Sequence, residues 1–214
     1  MSSNGTTSKI KKRNEERYYE PIKEHLTAVF SNRYIDHEKF PLQNDLYENL
    51  PKKLLLEVVG GKNRFSGTLK KVLGDDTLNI VRDEGIYPDL VGYVQKEPAS
   101  AKEIIIVEVK DEPITLKMVG KTRLYADIFN ATFAFLISTK ELSEERVRFL
   151  LRKPSIREGI IIAKFEITNP QANWGNIEIN ARFKDSVPEF LHMYLRPREI
   201  EPKHHNPSLL TRIA

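Results

Sequence analysis

Two acidic residues and a lysine lie within the most apolar part of the sequence. Asp89 is in the segment YPDLVGYV, and Glu108 and Lys110 end the segment EIIIVEVK. Because side chains alternate along a β-strand, Glu108 and Lys110 are predicted to lie on the same face. Carboxylates next to an ammonium group are residue types that can hold a divalent cation and use it for hydrolysis.

A hairpin formed by the two segments would bring the acids together. Suppose that Val94 pairs with Glu103 across the loop QKEPASAK. In an antiparallel pair, each residue before Val94 then lies opposite the corresponding residue after Glu103. Asp89 then lies opposite Glu108, and opposed side chains have Cβ atoms about 5 Å apart. Two opposed carboxylates repel each other, so this pairing predicts a positive charge between them.

We expect that charge to be Mg²⁺, with Mn²⁺ able to substitute. Asp89, Glu108 and the backbone carbonyl of Val109 are oxygen ligands of the kind that Mg²⁺ prefers. The metal would activate a bound water and neutralise charge on a phosphodiester, and Lys110 would orient or activate that water. The alternative is a solvated ion pair at a strand end, which contributes less than about 1 kcal/mol.

The pattern along the chain predicts an α/β fold with a central mixed β-sheet flanked by helices. Four residues within 103–110 are continuously apolar and mostly β-branched, which is typical of a strand at a sheet centre. Helices are predicted over 15–30, 114–129, 144–153 and 188–195, and strands over 54–59, 77–82, 87–94, 103–110, 132–138, 159–166 and 177–183.

The order of these elements and one short motif resemble the PD-(D/E)xK nuclease superfamily, which includes restriction enzymes and archaeal Holliday-junction resolvases. The matching residues are Pro88-Asp89 and then Glu108-Val109-Lys110. The resemblance covers about residues 15–138 and implies a restriction-endonuclease-like core. It also implies an Mg²⁺-dependent DNA endonuclease with these residues in catalysis. The alternatives are a Holliday-junction or branched-DNA resolvase, or a catalytically silent nucleic-acid-binding module.

The resemblance also points to residues on two helices. Many members place an acidic residue of the first helix near the metal, and Glu16 and Glu20 are both candidates here. Many members also have a polar residue four positions before a tyrosine on the helix after the ExK strand. Lys121 and Tyr125 match that spacing, although the usual residue is glutamine. Lys117 is expected to extend the basic surface that faces phosphate.

Positive charge is concentrated at both ends of the chain. The formal net charge is +4, and residues 1–14 contain four cations, Lys9, Lys11, Lys12 and Arg13, and no acid. Basic arms bind phosphate backbones through counterion release, so this flexible arm is predicted to bind nucleic acid or, alternatively, to act only as a solubilising tail. The predicted organisation is the arm, one α/β domain over 15–190 with additions from 139, and a Pro-rich basic tail over 191–214.

Composition excludes several other classes of protein. The chain has no cysteine, which excludes disulfide scaffolds, thiolate metal sites and cysteine nucleophiles. No apolar run approaches the roughly 20 residues of a membrane helix, and no secretory signal is apparent, so we expect a cytoplasmic protein without membrane contact. No glycine-rich motif predicts a nucleotide cofactor. The resemblance to these nucleases also implies a homodimer, because many of them cut both strands of DNA with two sites.

Overall fold

The computed structural model describes residues 14–30, 53–61, 64–95, 99–141, 160–169, 174–180 and 196–198. These residues form a mixed sheet with helices on both faces, which confirms the predicted α/β class. The elements are α1 Tyr19–Phe30, β1 Lys53–Val58, α2 Gly67–Glu84, β2 Leu90–Gln95, β3 Glu103–Lys110, α3 Leu116–Ile128, β4 Phe133–Ser138, β5 Ile161–Asn169, β6 Trp174–Asn180 and β7 Arg196–Arg198.

The strands of this part of the chain follow one another in sequence order across a single sheet, from β1 to β7. The first three strands are antiparallel neighbours, and β4 and β5 then continue parallel to β3. β6 is antiparallel to β5, and β7 pairs parallel to β6. The strands β3 and β4 therefore lie inside the sheet, as their continuous apolar sequences predicted.

The predicted pairing of β2 with β3 is confirmed. Val94 pairs with Glu103, and the ladder runs without a shift to Leu90 opposite Val107. Continued by one position, this register sets Asp89 opposite Glu108. Both strands are apolar and buried on both faces, so a slip of one residue would turn every side chain to the opposite face.

The two faces of β3 pack against different helices. Val107 and Val109 share a core with α1, which contributes Ile22 and Leu26. On the other face, Ile106 packs with residues of α2 and α3. Glu108 and Lys110 alternate onto the α2/α3 face, and they lie at the end of β3 beyond its apolar core.

One predicted strand is wrong. Residues 77–82 belong to α2, which begins after the N-cap Ser66 and ends at Gly85 in the left-handed conformation. Gly74 interrupts the helix with a φ of 77°. The sequence Gly74-Asp75-Asp76, which is typical of a turn, thus forms a kink within a helix.

The other predicted elements agree with the structure to within a few residues, or they lie outside the described residues. The strand predicted over 177–183 is β6, displaced toward the N-terminus. The helices predicted over 144–153 and 188–195 lie outside the described residues, as do most of the basic arm and most of the tail. Three residues of the predicted tail form β7.

Candidate active site

Asp89 lies immediately before β2 and is held there by four hydrogen bonds. Its backbone carbonyl accepts hydrogen bonds from the amides of Val59 at 2.9 Å and Gly60 at 2.8 Å, just after β1. Its carboxylate accepts two further hydrogen bonds: one on Oδ1 from the Tyr19 hydroxyl at 2.5 Å, and one on Oδ2 from the Val109 amide at 2.7 Å. α1 and β3 therefore orient this carboxylate, and the two residues after β1 hold its backbone.

The ammonium of Lys110 lies at the centre of the cluster. Its Nζ donates to the Val109 carbonyl at 2.7 Å and lies 3.0 Å from Glu108 Oε1 and 3.8 Å from Asp89 Oδ2. A fourth oxygen, Glu15 Oε2, is 3.3 Å away. The lysine thus contacts the three groups that the sequence predicted as metal ligands.

Glu108 is the most deeply buried member of the cluster, with only 1% of its surface exposed. Its Oε1 atom also accepts a hydrogen bond at 2.6 Å from a second ammonium group, that of Lys121 on α3. Its Oε2 atom is buried, and it has no hydrogen-bond partner among the described residues. A buried carboxylate oxygen without a donor is costly, so this atom is a natural ligand position for a cation.

Burial and mutual repulsion set the electrostatics of the site. Burial, followed by the charge of Glu108, raises the pKa of Asp89 to about 7 against the stabilising effect of Lys110. For Lys110, burial opposes the charged form, but the carboxylates of Glu108, Asp89 and Glu15 outweigh it and raise the pKa. Burial raises the pKa of the Tyr19 hydroxyl, and Asp89 raises it further, so Tyr19 is a permanent donor.

The residues present fit a hard divalent cation. Asp89 and Glu108 are carboxylates on opposed strands, the Val109 carbonyl lies between them, and the unpartnered Glu108 Oε2 supplies a free lone pair. Within the described residues, no group of three or more His, Asp or Glu side chains could together hold a metal ion. A metal here would therefore depend on two carboxylates, a backbone carbonyl and water.

The structure brings together some of the predicted residues and not others. Asp89, Glu108, Val109, Lys110 and Lys121 all meet, and Tyr125 lies beneath Lys121, whose ammonium is 5.0 Å from the ring centre. The Tyr125 hydroxyl donates to the Tyr87 carbonyl at 3.4 Å. Lys117 is exposed one turn before Lys121, and the arm residues Lys9, Lys11, Lys12 and Arg13 lie outside the described residues.

The two acids predicted on the first helix do not reach the cluster. Glu20 is exposed and forms a 2.7 Å ion pair with Lys23, and Glu16 is exposed beside Gly61. Glu15 instead lies in the cluster, with its Oε2 atom 3.3 Å from Lys110 Nζ. It belongs to a helical turn over 14–16 that precedes α1. It also continues the buried stripe of Tyr19 and Ile22 toward the N-terminus, a spacing that could have identified it.

Tyr19 is a second member of the site that sequence reasoning missed. Its place in the apolar periodicity of α1 indicated only a core residue, and its ring is indeed buried. The hydroxyl nevertheless reaches Asp89 across the end of the sheet. Gly60 makes this approach possible, since a Cβ there would lie 2.8 Å from Asp89 Oδ1 and 3.0 Å from the Tyr19 ring.

Comparisons with models of known protein families and with curated proteins find no match for this chain. In the part of the chain that the structure describes, no helix is both long and apolar enough to cross a membrane.

Proposed function

We propose that this protein is a divalent-metal-dependent nuclease that hydrolyses phosphodiester bonds of DNA, with a PD-(D/E)xK type of site on a restriction-endonuclease-like core. One observation carries the proposal. Asp89 and Glu108, nineteen positions apart in sequence, converge on the ammonium of Lys110 and the carbonyl of Val109 at one end of a buried hairpin. No packing requirement explains two acids at this buried position.

Each group has a defined role in the proposed reaction. Asp89, Glu108 and the Val109 carbonyl hold Mg²⁺, which supplies charge neutralisation at the scissile phosphate and makes bound water acidic. Tyr19 and the Val109 amide keep the Asp89 carboxylate in its orientation. Lys110 stays close to both carboxylates, orients the attacking water and stabilises negative charge as it develops. Burial excludes bulk water, which strengthens each of these interactions.

A second candidate function is a nucleic-acid-binding module without catalysis. It is favoured by one feature of the cluster: the ammonium groups of Lys110 and Lys121 already lie against Glu108 Oε1, at 3.0 Å and 2.6 Å. Such an internally neutralised cluster is stable without a metal. In that case the site is a remnant of the fold, and the basic groups alone bind phosphate.

Cleavage assays distinguish the two functions. Supercoiled plasmid and a four-way DNA junction are incubated with the protein and Mg²⁺, Mn²⁺ or EDTA. We expect metal-dependent cleavage that falls by about a hundredfold or more in Asp89→Asn, Glu108→Gln and Lys110→Met. Glu84→Gln, an exposed acid at the end of α2, is the matched control. Retained DNA binding with no cleavage in the unaltered protein would favour the silent module instead.

The same assay separates a general endonuclease from a junction resolvase. Preferential, symmetric cutting of the four-way junction would assign a resolvase, and equal cutting of linear duplex would assign a general endonuclease. Either activity on two strands requires two sites, so we propose a homodimer. Analytical ultracentrifugation at the assay concentration measures this directly.

A further inference from the structure

Two ammonium groups share a single oxygen of the buried Glu108. Lys110 Nζ is 3.0 Å from Glu108 Oε1, and Lys121 Nζ is 2.6 Å from the same atom. The other oxygen of Glu108 is buried and has no partner in the described part of the chain. Both positive charges therefore lie at Oε1, and within the described residues none contacts Oε2.

The two lysines differ in how easily their ammonium groups can move away from Glu108. The Lys110 side chain is 12% exposed, and its ammonium also contacts Val109, Asp89 and Glu15. The Lys121 side chain is 45% exposed, and Glu108 is the one carboxylate within the described residues that pairs with it. Its ammonium lies 5.0 Å from the centre of the Tyr125 ring, and because the side chain is half-exposed the ammonium can move outward without disturbing the core.

We propose that Lys121 is an internal counterion that competes with the divalent cation for Glu108 and is released toward the substrate phosphate when the cation binds. This inference rests on the proposed function, since it concerns the same metal site. A cation bound by Glu108 repels an ammonium 2.6 Å from the carboxylate oxygen, and the half-exposed stem lets Lys121 respond. Metal binding thereby exposes a phosphate-binding group beside the metal.

The consequence is a coupling between metal and nucleic acid. Without metal, Lys121 is held by Glu108 and is less available to the substrate. With metal, the same ammonium becomes available, so the cation increases DNA affinity beyond its own charge. By linkage, bound DNA must increase metal affinity by the same factor.

Metal affinity in the absence of DNA tests the first half of the proposal. Mn²⁺ binding is measured by electron paramagnetic resonance for the unaltered protein, Lys121→Met and Lys117→Met. We expect Lys121→Met to bind Mn²⁺ about tenfold more tightly, because it removes the competing charge. Lys117→Met removes the same charge one turn earlier on α3, where the side chain is exposed, and is expected to change affinity less than twofold.

DNA binding tests the second half. Fluorescence anisotropy with Ca²⁺ in place of Mg²⁺, chosen to limit turnover, gives the ratio of DNA affinity with and without cation. That ratio is expected to fall at least threefold in Lys121→Met, while circular dichroism shows an unchanged fold. Unchanged or weaker Mn²⁺ binding in Lys121→Met would overturn the inference. No Mn²⁺ binding by the unaltered protein would instead overturn the proposed metal site.

Discussion

At the scale of single residues, the carboxylate of Asp89 is held by hydrogen bonds on both of its oxygens. Each of its oxygens accepts one hydrogen bond, from Tyr19 at 2.5 Å and from the Val109 amide at 2.7 Å. A carboxylate oxygen has two lone pairs, so each still has one for a cation or for Lys110. The protein thus orients Asp89 with neutral donors, which leave its charge available for Lys110 and for the proposed metal.

Tyr19→Phe is expected to weaken the site without destroying the fold. The variant keeps the buried ring but leaves Asp89 Oδ1 without its donor, which should cost about 1–3 kcal/mol of unfolding free energy. Mn²⁺ affinity should fall severalfold as the carboxylate loses its orientation. Urea denaturation and Mn²⁺ titration measure the two effects. Tyr18→Phe, which removes a hydroxyl that contacts Arg17 instead, should leave Mn²⁺ affinity unchanged.

The raised pKa of Asp89 predicts how stability without metal depends on pH. With a pKa of about 7 when folded and 3.8 when unfolded, Asp89 is neutral in both states only well below pH 3.8. As the pH rises from 4 toward 7, the unfolded chain loses this proton first, so the folded state is progressively destabilised. The free energy of unfolding of Asp89→Asn should therefore decrease less than that of the unaltered protein between pH 5 and pH 8. Chemical denaturation at these two pH values measures the difference.

Added metal should reverse that trend. In the proposed site Mg²⁺ would bind the ionised carboxylate, so it should raise the melting temperature more at pH 8 than at pH 5. Equal stabilisation at both values would show that Asp89 is not a ligand. Glu84→Gln is expected to behave as the unaltered protein in both measurements, because this exposed side chain lies at the end of α2.

Sequence reasoning identified the residues of the hairpin but not those contributed by the first helix. Strand alternation and a constant register placed Asp89 beside Glu108, because pairing geometry fixes which residues face each other. Glu15 was missed because Glu16 and Glu20 were chosen as the acids of the predicted helix, although Glu15 has the helical spacing to the buried Tyr19 and Ile22. Tyr19 was assigned to the core on spacing alone, and spacing cannot show that a hydroxyl reaches a carboxylate seventy residues away.

At the scale of elements, the hairpin and α2 illustrate two limits of prediction. The strands around the site were predicted correctly because continuous apolar runs are typical of strands that are buried on both faces at the centre of a sheet. The helix α2 was read partly as a strand, because Leu78 and Ile80 alternate with polar residues. Only Leu69 and Val81 of that helix are fully buried, so its helical period is weakly marked. Its caps, Ser66 and Gly85, were the better signal.

The close approach of β1 to β2 depends on Gly92. A Cβ at this position would lie 2.1 Å from the Leu55 carbonyl oxygen and 2.8 Å from the Leu56 Cα, so the backbone would have to shift. Gly92→Ala should therefore lower the free energy of unfolding by about 2 kcal/mol or more. It should also weaken metal binding, since β1 holds the Asp89 backbone. Chemical denaturation and Mn²⁺ titration measure both losses.

Gly120→Ala is the matched control for that substitution. Gly120 lies on the exposed side of α3, and nothing would be within 4 Å of an added Cβ. Alanine favours a helix over glycine by about 1 kcal/mol, so this variant should be as stable as the unaltered protein or more so. A stability loss similar to that of Gly92→Ala would mean that crowding between β1 and β2 is not the cause.

At the scale of the whole molecule, the formal charge is unevenly distributed. The four cations of residues 1–14 equal the entire net charge of +4, so the remainder of the chain is neutral. The candidate site has its own cations, but Lys110 and Lys121 are paired with carboxylates there. Long-range attraction of a DNA backbone should therefore come mainly from the arm, and the proposed chemistry from the site at the end of β2 and β3.

Replacing Lys9, Lys11, Lys12 and Arg13 by glutamine in the full chain separates these two functions. The slope of log Kobs for DNA binding against log salt should become shallower by up to about 3.6, since each phosphate contact contributes about 0.9. Mn²⁺ affinity and the rate of cleavage at saturating DNA should not change, because the site itself is untouched. An unchanged salt slope would assign the arm to solubility alone. A lost cleavage rate at saturating DNA would instead mean that the arm takes part in positioning the scissile phosphate.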